Sequence, residues 1–218
     1  ENPLVYTGVT IGKHRQGDQV YYTMDMAADI AAFLEEANLG GSRDTTAPMP
    51  YKSEIVSDPS PVSDQDHSLY RSIVGSLQWY AGYRYDIAYE VTRLAQCLAS
   101  PTKGAMKALR RVVAYLSTTR DRQLKVPRVK GNTWTLYSDS DHAGDTIMGT
   151  TRSHTGVILL LNSMPIHWRS NKQPKTSLSS AEAEIYAMSE AIKDTQVRMW
   201  IAEDMHLEVL CPMVLHVD

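Results

Sequence analysis

The sequence predicts an α/β chain, in which a basic helical segment precedes a mixed β-sheet that carries one long helix. Apolar residues recur at helical spacing through much of residues 69–131. Twelve Lys and Arg against three Asp and Glu give the same residues a net charge of +9, which indicates a separate basic unit. Residues 132–218 instead combine short β-branched and aromatic runs with a single helical pattern, which indicates a sheet with one crossover helix.

Composition disfavours several classes of protein. The 218 residues include two cysteines, Cys97 and Cys211, which are too few for a disulfide framework. No apolar stretch approaches the roughly 18 residues of a membrane span, and the N-terminal residues carry no basic-then-apolar signal pattern. We therefore expect an intracellular protein that has no membrane partner.

The first 68 residues are acidic, with 11 acidic and 4 basic side chains, and open with a predicted β-hairpin. Alternating residues around Leu4–Gly12 and Val20–Met24 predict its two strands, which a polar turn joins. Helical spacing then predicts a helix over Asp25–Asn38 that ends at two glycines. Residues 51–68, which are rich in Pro, Ser and Asp, are predicted to form a linker.

The basic segment is predicted to place positive charge on helices. A helical pattern over 68–98 breaks at Gly82–Asp86, and a third helix is expected over Lys103–Leu116. Aromatic residues accompany the charges, a combination that suits phosphate contacts and base stacking, although a solvated helix face is the ordinary use of such charge. We predict nucleic-acid contacts at five basic residues: Arg84, Lys103, Lys107, Arg110 and Arg111.

The last third is predicted to fold in the order strand–strand–strand–helix–strand. The five elements are expected over Thr133–Ser138, Gly156–Leu161, Pro165–Arg169, Ser179–His206 and Met213–Val217. A right-handed crossover through the helix would set the last strand parallel to the first. Ser179 precedes Glu182 by three residues, which is the spacing of a capping box and marks the start of the helix.

Three carboxylates are candidates for a metal site. Asp139 and Asp218 end the first and last of these strands, and Glu184 lies in the first turns of the helix. Parallel neighbouring strands would bring the two Asp residues to one sheet edge, which the helix can also reach. Hard oxygen ligands suit Mg²⁺ or Mn²⁺, and two such ions would promote phosphodiester cleavage. The alternative is structural, because acids at strand ends often form turns, as Asp141 could, and Glu182 could serve only the helix cap.

Six blocks stand out in chain order: Tyr70–Leu77, Arg84–Ala88, Tyr137–Asp145, Thr151–Val157, Trp168–Pro174 and Leu178–Ala187. In their order along the chain and in their residues, these blocks resemble the reverse transcriptase and RNase H region of copia-type (Pseudoviridae-like) LTR retrotransposon polyproteins. His216–Asp218 falls where the third RNase H motif of that family begins. Two residues depart from the family pattern: Tyr85 stands in place of Pro, and His142 stands in place of Trp.

The resemblance implies an architecture for the whole chain. Residues 1–50 would be the end of the reverse transcriptase palm and the start of its thumb, followed by the linker 51–68. Residues 69–131 would be a basic α-helical thumb or connection subdomain that grips the template–primer. Residues 132–218 would be an RNase H-like mixed sheet with its helix, truncated at the C-terminus.

The resemblance also implies a chemistry. Carried over residue by residue, Asp139, Glu184 and Asp218 would be catalytic residues that bind Mg²⁺ or Mn²⁺, and Asp141 matches a further family position whose role stays open. The substrate would be the RNA strand of an RNA–DNA hybrid, processed in a cytoplasmic particle or in the nucleus. The chain contains no Asp-Asp pair, the polymerase metal motif, so we do not expect it to synthesise DNA.

Two alternatives remain open on the sequence alone. The chain could be a domesticated or relic fragment without catalytic activity, which serves as a structural subunit while a protein partner covers its incomplete sheet. It could also be a nucleic-acid-binding module that uses only the basic helices.

Overall fold

The computed structural model describes residues 3–37, 39, 45–49, 54–127, 133–144, 147, 149–207 and 213–217. Two compact units divide the chain: unit 1 is Glu1–Val126 and unit 2 is Pro127–Asp218. Both combine helix and strand, which is compatible with the predicted α/β class. Among the described residues, no helix is both long enough and apolar enough to cross a membrane.

Unit 1 contains a four-stranded sheet in the order β1-β2-β3-β4. Its strands are β1 (Leu4–Tyr6), β2 (Val9–Gln16), β3 (Gln19–Asp25) and β4 (Leu124–Pro127). The first three strands pair antiparallel, and β2 and β3 form the predicted hairpin. The sequence patterns did not predict β4, which is a short segment after the basic helices.

The first predicted strand is divided in two by a tight turn. Thr7 and Gly8 both adopt positive φ angles, 47° and 79°. A Cβ atom at Gly8 would lie only 2.9 Å from Oδ1 of Asp29, so glycine also meets a packing requirement there. The prediction of one continuous strand was therefore wrong, because alternation alone does not reveal a turn that glycine permits.

Four helices complete the described part of unit 1. They are α1 (Ala27–Ala37), α2 (Asp64–Ala81), α3 (Ala88–Ala95) and α4 (Lys103–Thr118), with short 3-10 turns at Glu54–Val56 and Tyr85–Ile87. The break between α2 and α3 falls where it was predicted. Helix α2 starts earlier than its apolar pattern indicated, because Ser63 Oγ accepts a hydrogen bond of 3.1 Å from Asp66 N and caps the helix.

The helices of unit 1 bury apolar side chains. Leu109 and Leu116 on α4 are fully buried, as is Leu77 on α2. Tyr70 is also buried, and its hydroxyl donates a 2.8 Å hydrogen bond to Leu94 O on α3. The apolar side of α4 is thus the side that faces the core.

Glu90 on α3 couples the stability of unit 1 to pH. Burial raises the pKa of its carboxyl to about 7, and the negative charge of Asp86 adds to the effect. The unfolded-state pKa is about 4.3, so the contribution of Glu90 to stability is fully present below that value and is lost as pH rises through 7. We expect Glu90→Gln to raise the free energy of unfolding at pH 8 by roughly 1 to 3 kcal/mol, since Glu90 is half-buried rather than fully enclosed.

Urea unfolding of the wild type and of Glu90→Gln at pH 4.5 and pH 8 measures this difference. The exposed Glu35→Gln variant is the matched control and should change stability little at either pH. A gain of the same size at both pH values would contradict a titrating role for Glu90.

Within its described residues, unit 2 is a four-stranded sheet covered by one long helix. Its strands are β5 (Trp134–Asp141), β6 (His154–Leu161), β7 (Met164–Lys172) and β8 (Val214–His216), in the order β7-β6-β5-β8. β5 and β8 are parallel, whereas β5–β6 and β6–β7 are antiparallel, which confirms the predicted pairing of first and last strands. The helix α5 (Ser180–Asp204) packs on a core that includes Leu136, Val157, Leu159 and Ala191.

Candidate functional site

The alternation of β5 determines where Asp139 points. Leu136 and Ser138 are buried on the face that packs under α5. Asp139 belongs to the opposite set, and its side chain is exposed. Its Oδ1 atom accepts a 2.7 Å hydrogen bond from Ser140 N. Asp139 forms no ion pair with any basic residue in the described part of the chain, so its charge is available to a ligand.

The parallel strand β8 runs beside the residues of β5 that precede Asp139. Val214 pairs with Thr135 and His216 pairs with Tyr137, two residues before Asp139. The rings of Tyr137 and His216 stack at 4.6 Å between centroids with an interplanar angle of 11°. Asp218, the third predicted metal ligand, lies outside the described residues.

Asp141 sits in a tight turn at the end of β5. Its carboxylate lies against Gly144, where an added Cβ atom would collide with it. Gly144 N donates a hydrogen bond of 3.3 Å to Asp141 O, and Ala143 adopts a φ of 54°. This geometry supports the turn-forming alternative for Asp141.

The start of α5 is held by the predicted cap. Ser179 Oγ accepts a 3.1 Å hydrogen bond from Glu182 N, and Glu182 Oε2 accepts one of 2.7 Å from Leu178 N. Glu182 therefore acts as a helix cap, as its spacing from Ser179 predicted. Glu184 follows two residues later and is half-buried, with its Oε2 atom buried.

Gln173 joins the first turn of α5 to the sheet through hydrogen bonds. It is 1% exposed, and its Nε2 donates to Thr155 Oγ1 at 3.1 Å and to Ala183 O at 3.0 Å. Its Oε1 accepts a 3.1 Å hydrogen bond from Ser177 Oγ. Since Ala183 precedes Glu184 directly, this buried amide fixes the position of Glu184 relative to β6. The sequence patterns did not single out Gln173 as a positioning residue.

A charged cluster docks the middle of α5 on β7. Arg169 Nε lies 3.0 Å from Asp194 Oδ2, and its Nη2 lies 3.4 Å from Glu190 Oε2. Arg198 donates from Nη2 to His167 Nδ1 at 3.2 Å. Burial and the charge of Arg198 lower the pKa of His167, which favours the neutral ring that this contact requires. These polar contacts hold α5 against β7, in addition to the apolar core beneath the helix.

Two of the predicted metal ligands, Asp139 and Glu184, belong to the described residues. Asp139 and Glu184 lie on β5 and α5, which contact each other. Among the described residues, no group of three His, Cys, Asp or Glu side chains is arranged to hold a metal ion. Because Asp218 is not among them, the three-carboxylate set stays a prediction.

Arg84 is a buried structural residue rather than part of an exposed basic surface. It is 7% exposed, and both Nε and Nη2 lie 2.8 Å from the carboxylate of Asp86. Nη2 also donates to Thr119 Oγ1 at 2.7 Å. Asp86 accepts further hydrogen bonds from Tyr115 OH at 2.8 Å and Arg122 Nη1 at 3.1 Å. This network replaces the nucleic-acid contact predicted for Arg84.

Helix α4 presents the other predicted cations along one side. Lys103, Lys107 and Arg110 are exposed and recur at helical spacing. Arg111 is half-buried, and its Nε donates a 3.3 Å hydrogen bond to Ala47 O. Three of the five predicted nucleic-acid contacts therefore share an exposed helical face.

Comparison with known proteins places the chain among transposon sequences. It is 33% identical over 218 residues to the retrovirus-related Pol polyprotein from transposon RE2 of Arabidopsis thaliana, and the match covers 98% of the chain and 14% of that protein. The corresponding polyprotein from transposon RE1 is 35% identical over 191 residues, which cover 87% of the chain and 13% of that protein.

A shorter relative is matched over most of its own length. An uncharacterized mitochondrial protein of Arabidopsis thaliana is 31% identical over 184 residues, which cover 84% of the chain and 73% of that protein. No family model matches the chain. No solved structure matches it either.

Proposed function

Because the chain belongs to the copia-type retrotransposon Pol polyproteins, we propose that unit 2 hydrolyses the RNA strand of RNA–DNA hybrids with Mg²⁺ or Mn²⁺. The chain corresponds to a small share of the Pol relatives, so the proposal concerns one activity of a larger polyprotein. It places that polyprotein in an intracellular particle or in the nucleus, with a nucleic-acid hybrid as its partner.

The register of β5 and β8 carries the proposal. Tyr137, two residues before Asp139, pairs with His216 in parallel, so the described end of β8 lies beside the part of β5 that leads to Asp139. The proposal takes Asp218, two residues further along the sequence than His216, as the second carboxylate donor. The proposal further requires Glu184 to approach this pair from the side of α5, and Glu184 therefore needs a test separate from that of Asp139.

The donor set suits the proposed ions. Asp139, Glu184 and Asp218 offer only carboxylate oxygens, which Mg²⁺ and Mn²⁺ prefer. A bound ion of this kind would activate a water molecule and stabilise charge on the leaving oxygen. The residues of the chain position the donors: Ser140 N orients the carboxylate of Asp139, and Gln173 holds the turn that precedes Glu184.

Unit 1 offers a surface for the phosphate backbone. Lys103, Lys107 and Arg110 lie on one exposed side of α4, where cations can replace the counterions of a nucleic acid. Such contacts do not depend on base sequence, which suits a substrate class defined by its hybrid backbone.

Cleavage of an RNA–DNA hybrid labelled on its RNA strand tests the proposal. We expect the chain to cleave this strand in Mg²⁺ or Mn²⁺, and to leave it intact when EDTA removes the metal. Duplex DNA of the same sequence should not be cut. If a folded sample binds the hybrid but does not cleave it with either metal, the nuclease proposal fails, and the nucleic-acid-binding or structural alternative takes its place.

A further inference from the structure

A cavity of about 150 Å³ lies within unit 1, far along the sequence from the carboxylates of unit 2. It is bounded by the start of β2, the end of β3, the turn between α2 and α3, and residues 122–124 that lead into β4. All of its lining residues belong to unit 1. None of them has a part in the proposed hydrolysis.

The lining combines apolar and aromatic side chains. Val9, Met24 and Met26 come from the hairpin and its end, and Leu124 comes from β4. Tyr83 and Tyr85 provide aromatic rings from the opposite turn. Thioether and aliphatic groups beside aromatic rings favour a planar, polarisable occupant.

The charged side chains that line the cavity already form hydrogen bonds within unit 1. Arg84 and Arg122 bond to Asp86, as the network above describes. Gln123 Nε2 donates a 2.9 Å hydrogen bond to Asp25 Oδ2, and Ala27 N donates one of 3.1 Å to Oδ1 of the same residue. Two cations face two anions, so the lining has no net charge and does not favour a phosphate group.

An aromatic surface leads from the cavity to solvent. Tyr83 contacts Trp79 edge-on, with 5.5 Å between ring centroids and an interplanar angle of 62°. Trp79 is 46% exposed and Tyr85 is 42% exposed, so both side chains reach solvent. Exposed aromatic rings of this kind are platforms on which unpaired bases stack.

We propose that this cavity binds one uncharged nucleobase, unpaired and stacked against Tyr83 and Tyr85. A volume near 150 Å³ is known to accept a single aromatic ring. The base belongs either to a single-stranded segment of nucleic acid or to a free nucleoside. This inference rests on the nucleic-acid class of ligand in the proposed function, but it concerns unit 1 and is measured by binding rather than by cleavage.

Two short probes isolate the contribution of the base. One is a fluorescein-labelled strand of abasic nucleotides that carries a single thymine, and the other is the same labelled strand without the base. Both strands have the same phosphates, so the exposed cations of α4 should bind them equally. We expect the base to improve the affinity measured by fluorescence anisotropy about tenfold.

Variants of the chain locate the effect in the cavity. Met24→Trp should fill the cavity, and Tyr85→Ala removes an exposed wall and is less prone to disturb folding. Either change should make the two probes bind equally. Tyr89→Ala is the matched control, because Tyr89 is similarly exposed at 41% but does not line the cavity, and it should preserve the difference.

The outcomes separate the possibilities. Equal binding of the two probes to the wild type, or no binding of either, overturns the proposal. A preference for the base that survives both cavity variants also overturns it. Competition by free thymidine would show that a free nucleoside is a sufficient ligand of the site. Binding of the strand without such competition would show that the base must belong to a strand. If the chain fails to cleave hybrids but shows this preference for the base, the proposed hydrolysis fails and the cavity proposal stands.

Discussion

Asp139→Asn is expected to lower the rate of metal-dependent cleavage of the RNA strand by at least about a hundredfold. Asn keeps the shape of the side chain and can still accept the hydrogen bond from Ser140 N, but it removes the negative charge that would bind the ion. Since Asp139 is exposed, the substitution should leave the free energy of unfolding nearly unchanged. Cleavage rates in Mg²⁺ and Mn²⁺, with urea unfolding of the same samples, measure both effects.

Glu184→Gln decides whether the helix contributes a ligand. Asp139 faces away from α5, so the two carboxylates need separate tests. We expect Glu184→Gln to reduce cleavage on the same scale as Asp139→Asn. Glu182→Gln is the matched control, because Glu182 caps the helix and Gln retains an acceptor for Leu178 N. Full activity in Glu184→Gln would remove Glu184 from the metal site, and equal loss in Glu182→Gln would indicate damage to the helix start.

The second large effect is expected at Arg84. Replacing it by Met removes the cation from a buried pair and leaves Asp86 with fewer partners. Removal of one member of such a pair typically costs about 3 to 5 kcal/mol, and the remaining contact with Arg122 places our expectation near 3 kcal/mol at pH 7. Arg120→Met is the control, since the Arg120 side chain is 52% exposed and its loss should cost less than about 0.5 kcal/mol.

The pH dependence of this effect has a defined sign. Burial alone would raise the pKa of Asp86, but Arg84, Tyr115 and Arg122 outweigh burial and lower it. A lowered folded-state pKa means that the stabilisation is present above the unfolded-state pKa near 3.9 and is lost as pH falls below it. The difference between wild type and Arg84→Met should therefore shrink below about pH 4. A cost equal to that of Arg120→Met would show that the network does not stabilise unit 1.

Local sequence patterns were sufficient to predict an element that buries one of its faces. The helical spacing of α4 and the capping residues Ser179 and Glu182 identified their helices, because periodicity and capping act within a few residues of the chain. The parallel pairing of β5 with β8 was predicted from element order, since a helix between two strands permits that connection.

Other features depend on contacts between distant residues. Arg84 was predicted to contact nucleic acid, yet it is buried and bonds to Thr119 and Asp86, and no local sequence pattern indicates that burial. Gln173 joins Thr155 to Ala183, and its only sequence signal was its place in the block Trp168–Pro174. The faces of Asp139 and Glu184 are likewise set by the packing of α5 on β5.

The sequence by itself determined the order of elements in unit 2, the separation of basic and acidic segments, and the motifs that identify the family. These properties follow from residue type and spacing along the chain. Only the tertiary structure decided which charges are buried, where the cavity of unit 1 lies and which face of β5 carries Asp139. The reason is physical: burial and hydrogen bonding depend on which distant side chains share a space, and that is settled when helices and strands pack.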